Sequence, residues 1–380
     1  MNRTLFKYHT WMALVTALPL IVICLTGSIL VFKHEIDSFL MPEKVRVDVE
    51  LKGFDGPARQ NRINLDQLSA SVKQQYPNYE PAGWAFFLDP GRADTVVVVE
   101  HGSADRCYLI VNQYTGEVIA PPVVFDHYLT DWLLELHYHL LLNDTGLVIS
   151  TLISVIFCAL GITGVILYRK FRKNFFTLRW RRSITVLFND IHKMVGTIAA
   201  PVFLILGFTG GYWNVMHLWH DYIDHAGEEP FIVDGRLYGD GVSLQALYED
   251  TSARVDGFVP TYMSLPDELD HPIYFFGDVP QGNPLISQYG SFITYAELDG
   301  RFVDASDIRG AGIARKVDDS FRRLHFGNFA GLWSKVFWCV MGVMPLVLSV
   351  TGIYVWYLRR QKRAEARAKR RRKSRQLVSA

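Results

Sequence analysis

Four stretches of this 380-residue chain contain no charged side chain: Trp11–Phe32, Leu147–Tyr168, Met194–Met216 and Val336–Leu358, with lengths of 22, 22, 23 and 23 residues. A helix needs about 20 consecutive apolar residues to cross a bilayer core. The chain therefore reads as a membrane protein with four spanning helices. Three of the stretches contain a proline, Pro19, Pro201 or Pro345, which a helix in lipid tolerates when neighbours satisfy the freed backbone groups. The first stretch is too long for the apolar region of a signal peptide and lacks a small-residue cleavage site, so it reads as retained. Three of the four cysteines, Cys24, Cys158 and Cys339, lie in these runs, leaving Cys107 alone in polar sequence. That pattern excludes a disulfide framework, an all-cysteine zinc site and a cysteine-ligated iron–sulfur cluster.

The net charge of +1 hides a strong segregation. The N-terminal segment, the stretch from Arg169 to Lys193 and the tail after Leu358 together hold 21 of the 39 basic residues and only two acids, Asp190 and Glu365. The two long segments between the spans hold the other 36 acids against 18 bases. Positively charged loops stay inside, so both termini are expected in the cytoplasm and both long segments outside. In a bacterium this is an inner-membrane protein with two periplasmic segments. The expected organisation is TM helix 1 over 9–33, a periplasmic module over 34–126, and an interfacial helix plus TM helix 2 over 127–168. A basic cytoplasmic loop follows over 169–191, then TM helix 3 over 192–216 and a second module over 217–318. An interfacial helix plus TM helix 4 over 319–358 and a basic tail over 359–380 complete the chain. The basic tail reads as a topology signal in contact with the anionic lipid bilayer, not as a nucleic-acid site. A reporter fused at residue 175 is expected to be active only in the cytoplasmic form, and periplasmic activity there would overturn this topology.

An internal duplication is the most informative pattern. His9 precedes Thr26-Gly27 by 17 and 18 residues, and His192 precedes Thr209-Gly210 by the same 17 and 18, at an offset of 183. Leu136-His137-Tyr138 stands 27 residues from His137 to Gly164, and Leu324-His325-Phe326 stands 27 from His325 to Gly352, at an offset of 188. The chain is thus two units of helix, outside segment and helix. Both start inside, so the repeat is parallel and its axis runs along the membrane normal. Each outside segment reads as a small α+β module. The first has a helix at Leu65–Gln75, an extended run at Thr95–Glu100 and a hairpin from Cys107 to Ile119. The second has a helix at Ser243–Asp250 and a hairpin from Ser291 to Ala305 whose turn is Asp299-Gly300. No nucleophile elbow, phosphate loop, metalloprotease or dinucleotide motif is present, so no residue is assigned as catalytic.

The YTGEV of Tyr114–Val118 resembles the closing hairpin of a PepSY domain, and the LH(Y/F)…TG and H…TG patterns around the four spans resemble the PepSY-associated transmembrane family. The resemblance covers roughly residues 3–360. It implies a membrane all-α four-helix core of two parallel-related helix pairs carrying two periplasmic α+β PepSY-like modules. The second module departs from a recognisable PepSY pattern, with an acidic, proline-rich middle. The family includes iron-regulated inner-membrane proteins and FoxB-type ferric-siderophore reductases that carry b-type haems.

Ionisable groups in membrane spans are costly and mark function. A lone histidine at a span end also reads as an interfacial residue. The duplication separates His9 and His192 from that reading, because related residues share a depth and can face each other across the axis. His137 and His325 form the second related pair, on the outer side. Neutral imidazoles ligate haem iron, so the two pairs are expected to hold two b-type haems. The rival outer pair is His34 and His217, also 183 apart and each 25 residues from its partner along one helix, about 37 Å by helical rise. A continuous helix from His137 to Tyr168 would run about 46 Å, so Asn143–Gly146 is expected to break it. His139 reads as structural or as a support to the site, and His101, His127, His220, His225 and His271 as surface residues. Arg322 and Arg323 read either as propionate partners or as a solvated helix face. Glycines Gly161, Gly164, Gly207, Gly210, Gly342 and Gly352 admit either a flat macrocycle or close helix packing. Trp213, Trp219, Trp333 and Trp338 read as an aromatic belt.

The expectation is transmembrane electron transfer. The resemblance implies that the substrate is a ferric siderophore, reduced outside to release Fe(II). With no flavin or nicotinamide motif, the electron donor would be a quinol or a cytoplasmic partner. The alternative is a non-enzymatic regulator or iron-transport accessory whose histidines only pack or bind a metal.

Overall fold

The computed structural model describes residues 3–47, 62–168, 177–220, 222 and 229–378. Among these, four helices are long and apolar enough to cross a membrane: α1 (Arg3–Leu30), α6 (Asn143–Leu167), α7 (Ile184–Trp219) and α10 (Gly331–Val378). The basic tail continues α10 as helix to Val378, where expectation placed only a charged tail. Between α1 and α6 come α2 (Lys33–Leu40), α3 (Pro42–Val45), α4 (Leu65–Gln75), β1 (Tyr79–Ala85), β2 (Asp94–Glu100), β3 (Arg106–Val111), β4 (Val118–Val123) and α5 (Leu129–Tyr138). Between α7 and α10 the order repeats: α8 (Leu244–Arg254), β5 (Val259–Ser264), β6 (Ile273–Asp278), β7 (Ser291–Tyr295), β8 (Phe302–Ser306) and α9 (Ile313–Phe326). The second segment has the same helix-then-four-strands order as the first, despite its divergent sequence.

The two modules are not separate. Their strands form one eight-stranded antiparallel sheet in the order β4-β3-β2-β1-β5-β6-β7-β8. The equivalent strands β1 and β5 join it at the middle, with Trp84 opposite Met263. One apolar core lies beneath both halves and includes Leu68, Trp84, Leu109, Met263, Phe275 and Ile293. The helices that cover it are tied together at their starts. Asn64 caps α4 by accepting from the Asp66 and Gln67 amides. The Asp66 carboxylate then accepts from the Leu244 amide and the Ser243 hydroxyl at the start of α8, each at 2.6 Å. A carboxylate there complements the partial positive charge of a helix N-terminus.

In the membrane-spanning bundle, Gly207 and Gly342 serve packing. A Cβ on Gly207 would meet Cys158 Sγ at 2.8 Å, and one on Gly342 would meet Ser28 Oγ at 2.2 Å, so the backbones approach as small residues allow in lipid. Leu20, Phe157 and Phe203 fill the middle.

The chain breaks between α5 and α6 just before the expected point. Leu140, Leu141 and Asn143 take positive φ values of 51°, 58° and 50°, a region where branched and bulky residues are rare. Asn143–Gly146 then forms the first turn of α6. Gly146 is required there, because a Cβ would lie 1.5 Å from the His139 carbonyl oxygen.

A buried polar network joins the sheet to the bundle. Lys33 Nζ donates to Asp37 (3.0 Å), Thr130 (2.7 Å) and Asp131 (2.7 Å). Thr130 donates to Asp37 at 2.5 Å, and the Tyr108 hydroxyl donates to Asp131. Burial and that bond push the Tyr108 phenol above its ordinary value.

Candidate functional site

All four duplicated histidines meet a Thr-Gly pair, and each meeting crosses between helices of the same unit. His9 on α1 lies against Thr163-Gly164 of α6, and His137 on α5 against Thr26-Gly27 of α1. In the second unit, His192 on α7 lies against Thr351-Gly352 of α10, and His325 on α9 against Thr209-Gly210 of α7. The glycine makes room for the ring. A Cβ on Gly27 would stand 2.7 Å from His137 Cε1, one on Gly210 3.1 Å from His325 Cε1 and one on Gly352 3.1 Å from His192 Cε1. At Gly164 the distance to His9 Cε1 is 3.7 Å, ordinary contact. The six glycines singled out in the sequence thus divide between imidazole seats and helix packing.

The acceptors that face each ring set its protonation. Each Oγ1 gives its only proton to the carbonyl four residues back: Thr26 to Val22 at 2.8 Å, and Thr163 to Ala159, Thr209 to Ile205 and Thr351 to Val347 at 2.7 Å each. The oxygen can then only accept from the imidazole. His9 Nδ1 donates to Thr163 at 2.8 Å and His325 Nδ1 to Thr209 at 2.9 Å. His137 Nδ1 donates to the Ile23 carbonyl at 2.8 Å, with Thr26 at 3.2 Å. His192 Nδ1 has the Leu348 carbonyl and Thr351 both at 3.1 Å. A carbonyl accepts and never donates, so the proton sits on Nδ1 and the lone pair on Nε2. This is the tautomer of a metal-ligating histidine whose other nitrogen is held by the protein. These threonines were visible in the sequence only as repeat markers. Their role follows from the crossed contacts, which spacing along one strand of sequence does not show.

The rings of His137 and His325 come together from the two units, with centroids 6.2 Å apart and planes at 57°. Two metal–nitrogen bonds of about 2.0 Å end to end, plus about 1.1 Å from each nitrogen to its ring centre, give about 6.2 Å. The pair therefore has the separation of two imidazoles on one metal. Two nitrogens fall short of the three or four protein ligands of a zinc centre and match an iron whose remaining positions a macrocycle fills. His9 and His192 lie near the starts of α1 and α7, the repeat-related helices. From His9 to Thr26, the levels of the two pairs, α1 rises about 26 Å.

Among the described residues, no Thr-Gly seat is seen against the rival outer residues. His34 lies on α2, where burial and the nearby Arg92 guanidinium hold its pKa below the usual histidine value. Its Nδ1 is buried without a hydrogen-bond partner. His217 lies in the last turn of α7. Arg323 donates to the carbonyls of Ile286 (3.1 Å) and Asn328 (3.3 Å), and Arg322 stacks on Tyr289 at 4.3 Å. His139 donates to Glu135 at 2.8 Å and stacks on Tyr138. His101 is partly exposed, with its Nε2 3.7 Å from Glu80. His127 packs edge-on to Tyr128, and His271 stands 3.7 Å from Asp267. His225 lies outside the described residues.

The PepSY-associated TM region, as a family, matches residues 6–359, nearly the whole chain. The chain belongs to this family. The PepSY-associated TM match covers all four spanning helices and the sheet between them, so the protein is a membrane protein in which the sheet is an integral part of the family's unit. A Pseudomonas aeruginosa protein described only as uncharacterized is 25% identical over 264 residues, which is 63% of this chain and 66% of that protein. The chain thus spans just under two thirds of that relative's length.

Proposed function

We propose that this member of the PepSY-associated TM family is a di-haem b electron-transfer protein of the bacterial inner membrane. On this reading it reduces a ferric siderophore on the sheet side and releases Fe(II). The observation that carries the reading is the set of four crossed histidine seats: every ring holds its Nδ1 proton on a neighbouring helix and keeps Nε2 for a metal. His137 and His325 hold one haem near the sheet, and His9 and His192 hold the other near the basic end. Bound there, each haem supplies reversible one-electron exchange at its iron. The protein's part is to fix the four rings, keep water out with the apolar middle of the bundle, and hold the two levels at opposite membrane faces. The excess of Lys and Arg at the ends remote from the sheet supports a cytoplasmic side for those ends and a periplasmic side for the sheet. With two histidines held for each haem, the siderophore iron would exchange its electron without binding the metal that the histidines would hold. The donor on the cytoplasmic side is a quinol or a protein.

The test is a redox spectrum of the purified protein. Dithionite should give Soret and α bands of low-spin b-type haem, and pyridine haemochrome quantification should give two haems per chain. One haem or none in a fully loaded preparation overturns the stoichiometry. A colourless protein would leave the non-enzymatic reading. A high-spin ferric signal would show an open axial position and overturn the bis-histidine assignment.

A further inference from the structure

The four seats are alike in outline but not in their acceptors, and the difference has a pattern. His137 and His192 each have a backbone carbonyl within reach of Nδ1, from Ile23 at 2.8 Å and Leu348 at 3.1 Å. The hydrogen bonds described for His9 and His325 run instead to a threonine hydroxyl alone, Thr163 and Thr209. His9 is the repeat partner of His192, and His325 of His137, so each pair combines one carbonyl-held ring with one threonine-held ring. A carbonyl is a permanent acceptor. A threonine hydroxyl can accept or donate, and giving its proton to the turn below, as at both positions, leaves it only to accept from the ring.

From this asymmetry we infer that Thr163 and Thr209 are positioning residues, fixing the Nδ1–H tautomer and orientation of His9 and His325, whereas backbone carbonyls do this for His192 and His137 and make Thr351 and Thr26 dispensable. The inference rests on the bis-histidine reading for its effect on haem and on the hydrogen-bond geometry alone for the tautomer. An acceptor on Nδ1–H makes the imidazole a stronger donor to the metal and fixes its orientation, and partners of this kind are worth about 10–100-fold in metal affinity. Losing one leaves a buried N–H unpaired and removes the bias between the tautomers.

The experiment compares Thr209→Val with Thr26→Val. Both change the same chemistry, in seats of the same pair. Valine keeps the branched shape that packs in the helix. In the loaded protein, Thr209→Val should move the midpoint potential of one haem to a more positive value and weaken its retention about 10–100-fold, with the other haem unchanged. Thr26→Val should leave both haems near wild type, and Thr209→Ser should restore the wild-type potential. Thr163→Val and Thr351→Val should behave in the same way at the other haem. Equal shifts from Thr209→Val and Thr26→Val, or none from Thr209→Val, would overturn the inference while leaving the two haems in place. Nitrogen-15 spectra of the histidines in haem-free protein test the tautomer separately. His9 and His325 should be protonated at Nδ1 in the wild type and mixed in the Thr163→Val and Thr209→Val variants. A wild type that binds no haem would sink the proposed function, and these spectra would still decide the role of the threonines. Wild-type rings protonated at Nε2 would refute it.

Discussion

Replacing His325 with alanine is expected to remove one haem and leave the other intact. His137→Ala should do the same to the same haem, and His9→Ala and His192→Ala should each remove only the second. The reason lies in how the seats are built. Each pair takes one ring from each unit, and the two pairs sit at levels about 26 Å apart along α1. No ring of one pair can therefore replace a missing ring of the other. A haem left with one imidazole is held by one bond and its packing, so its retention should fall strongly. Either loss should stop electron flow, because the two sites act in series. His139→Ala should keep both haems, since its ring is engaged by Glu135 and Tyr138. His34→Ala and His217→Ala should also keep both. If His34→Ala or His217→Ala bleaches the outer haem while His325→Ala spares it, the pairing proposed here is wrong.

A second large effect is expected at Lys33. Its ammonium lies between Asp37 and Asp131, which are 7% and 6% exposed. Lys33→Met would leave two buried carboxylates facing each other with no cation between them. Breaking a buried pair in this way costs about 3–5 kcal/mol. The lower end applies, because Lys33 itself keeps part of its side chain in water. The expected outcome is a destabilisation of about 3 kcal/mol and a loss of protease protection where the sheet meets α2 and α5. Lys335→Met, which breaks the half-exposed pair with Glu35 at 2.5 Å, should cost under about 1 kcal/mol. Equal effects of the two substitutions would show that the Lys33 network is solvated.

The contrast between what the sequence discloses and what it hides follows from range. The spans are legible because lipid imposes length and apolarity on each one locally. The histidine pairs are legible because duplication repeats a spacing. The helix at Leu65–Gln75 and the turn at Asp299-Gly300 carry their own capping and turn signals. The single sheet is not legible. Its central strands, YEPAGWA and VPTYMS, contain Pro and Gly that punctuate loops in sequence, and their pairing links residues about 180 positions apart. The Lys33 network is hidden for the same reason: it is assembled from α2, α5 and β3, whose polar residues look like ordinary surface when read in order. The position of the break before α6 also escaped. Leu140, at positive φ, packs against the bundle core, the turn also needs the absence of a side chain at Gly146, and no local propensity favours leucine there.

The joining of β1 to β5 at the middle of the sheet has a further consequence. Two copies of a half-length chain, docked about a twofold axis by their first strands, would form the same sheet, and the facing pair of His137 and His325 would then take one ring from either copy. Covalent linkage makes such a partnership permanent and releases it from identity, so that each half can acquire features the other lacks. The ammonium between two carboxylates in the first half, where the second half has Met216 at the repeat-related position, is one such departure. The chain is in effect an obligate dimer whose two subunits have been free to become different.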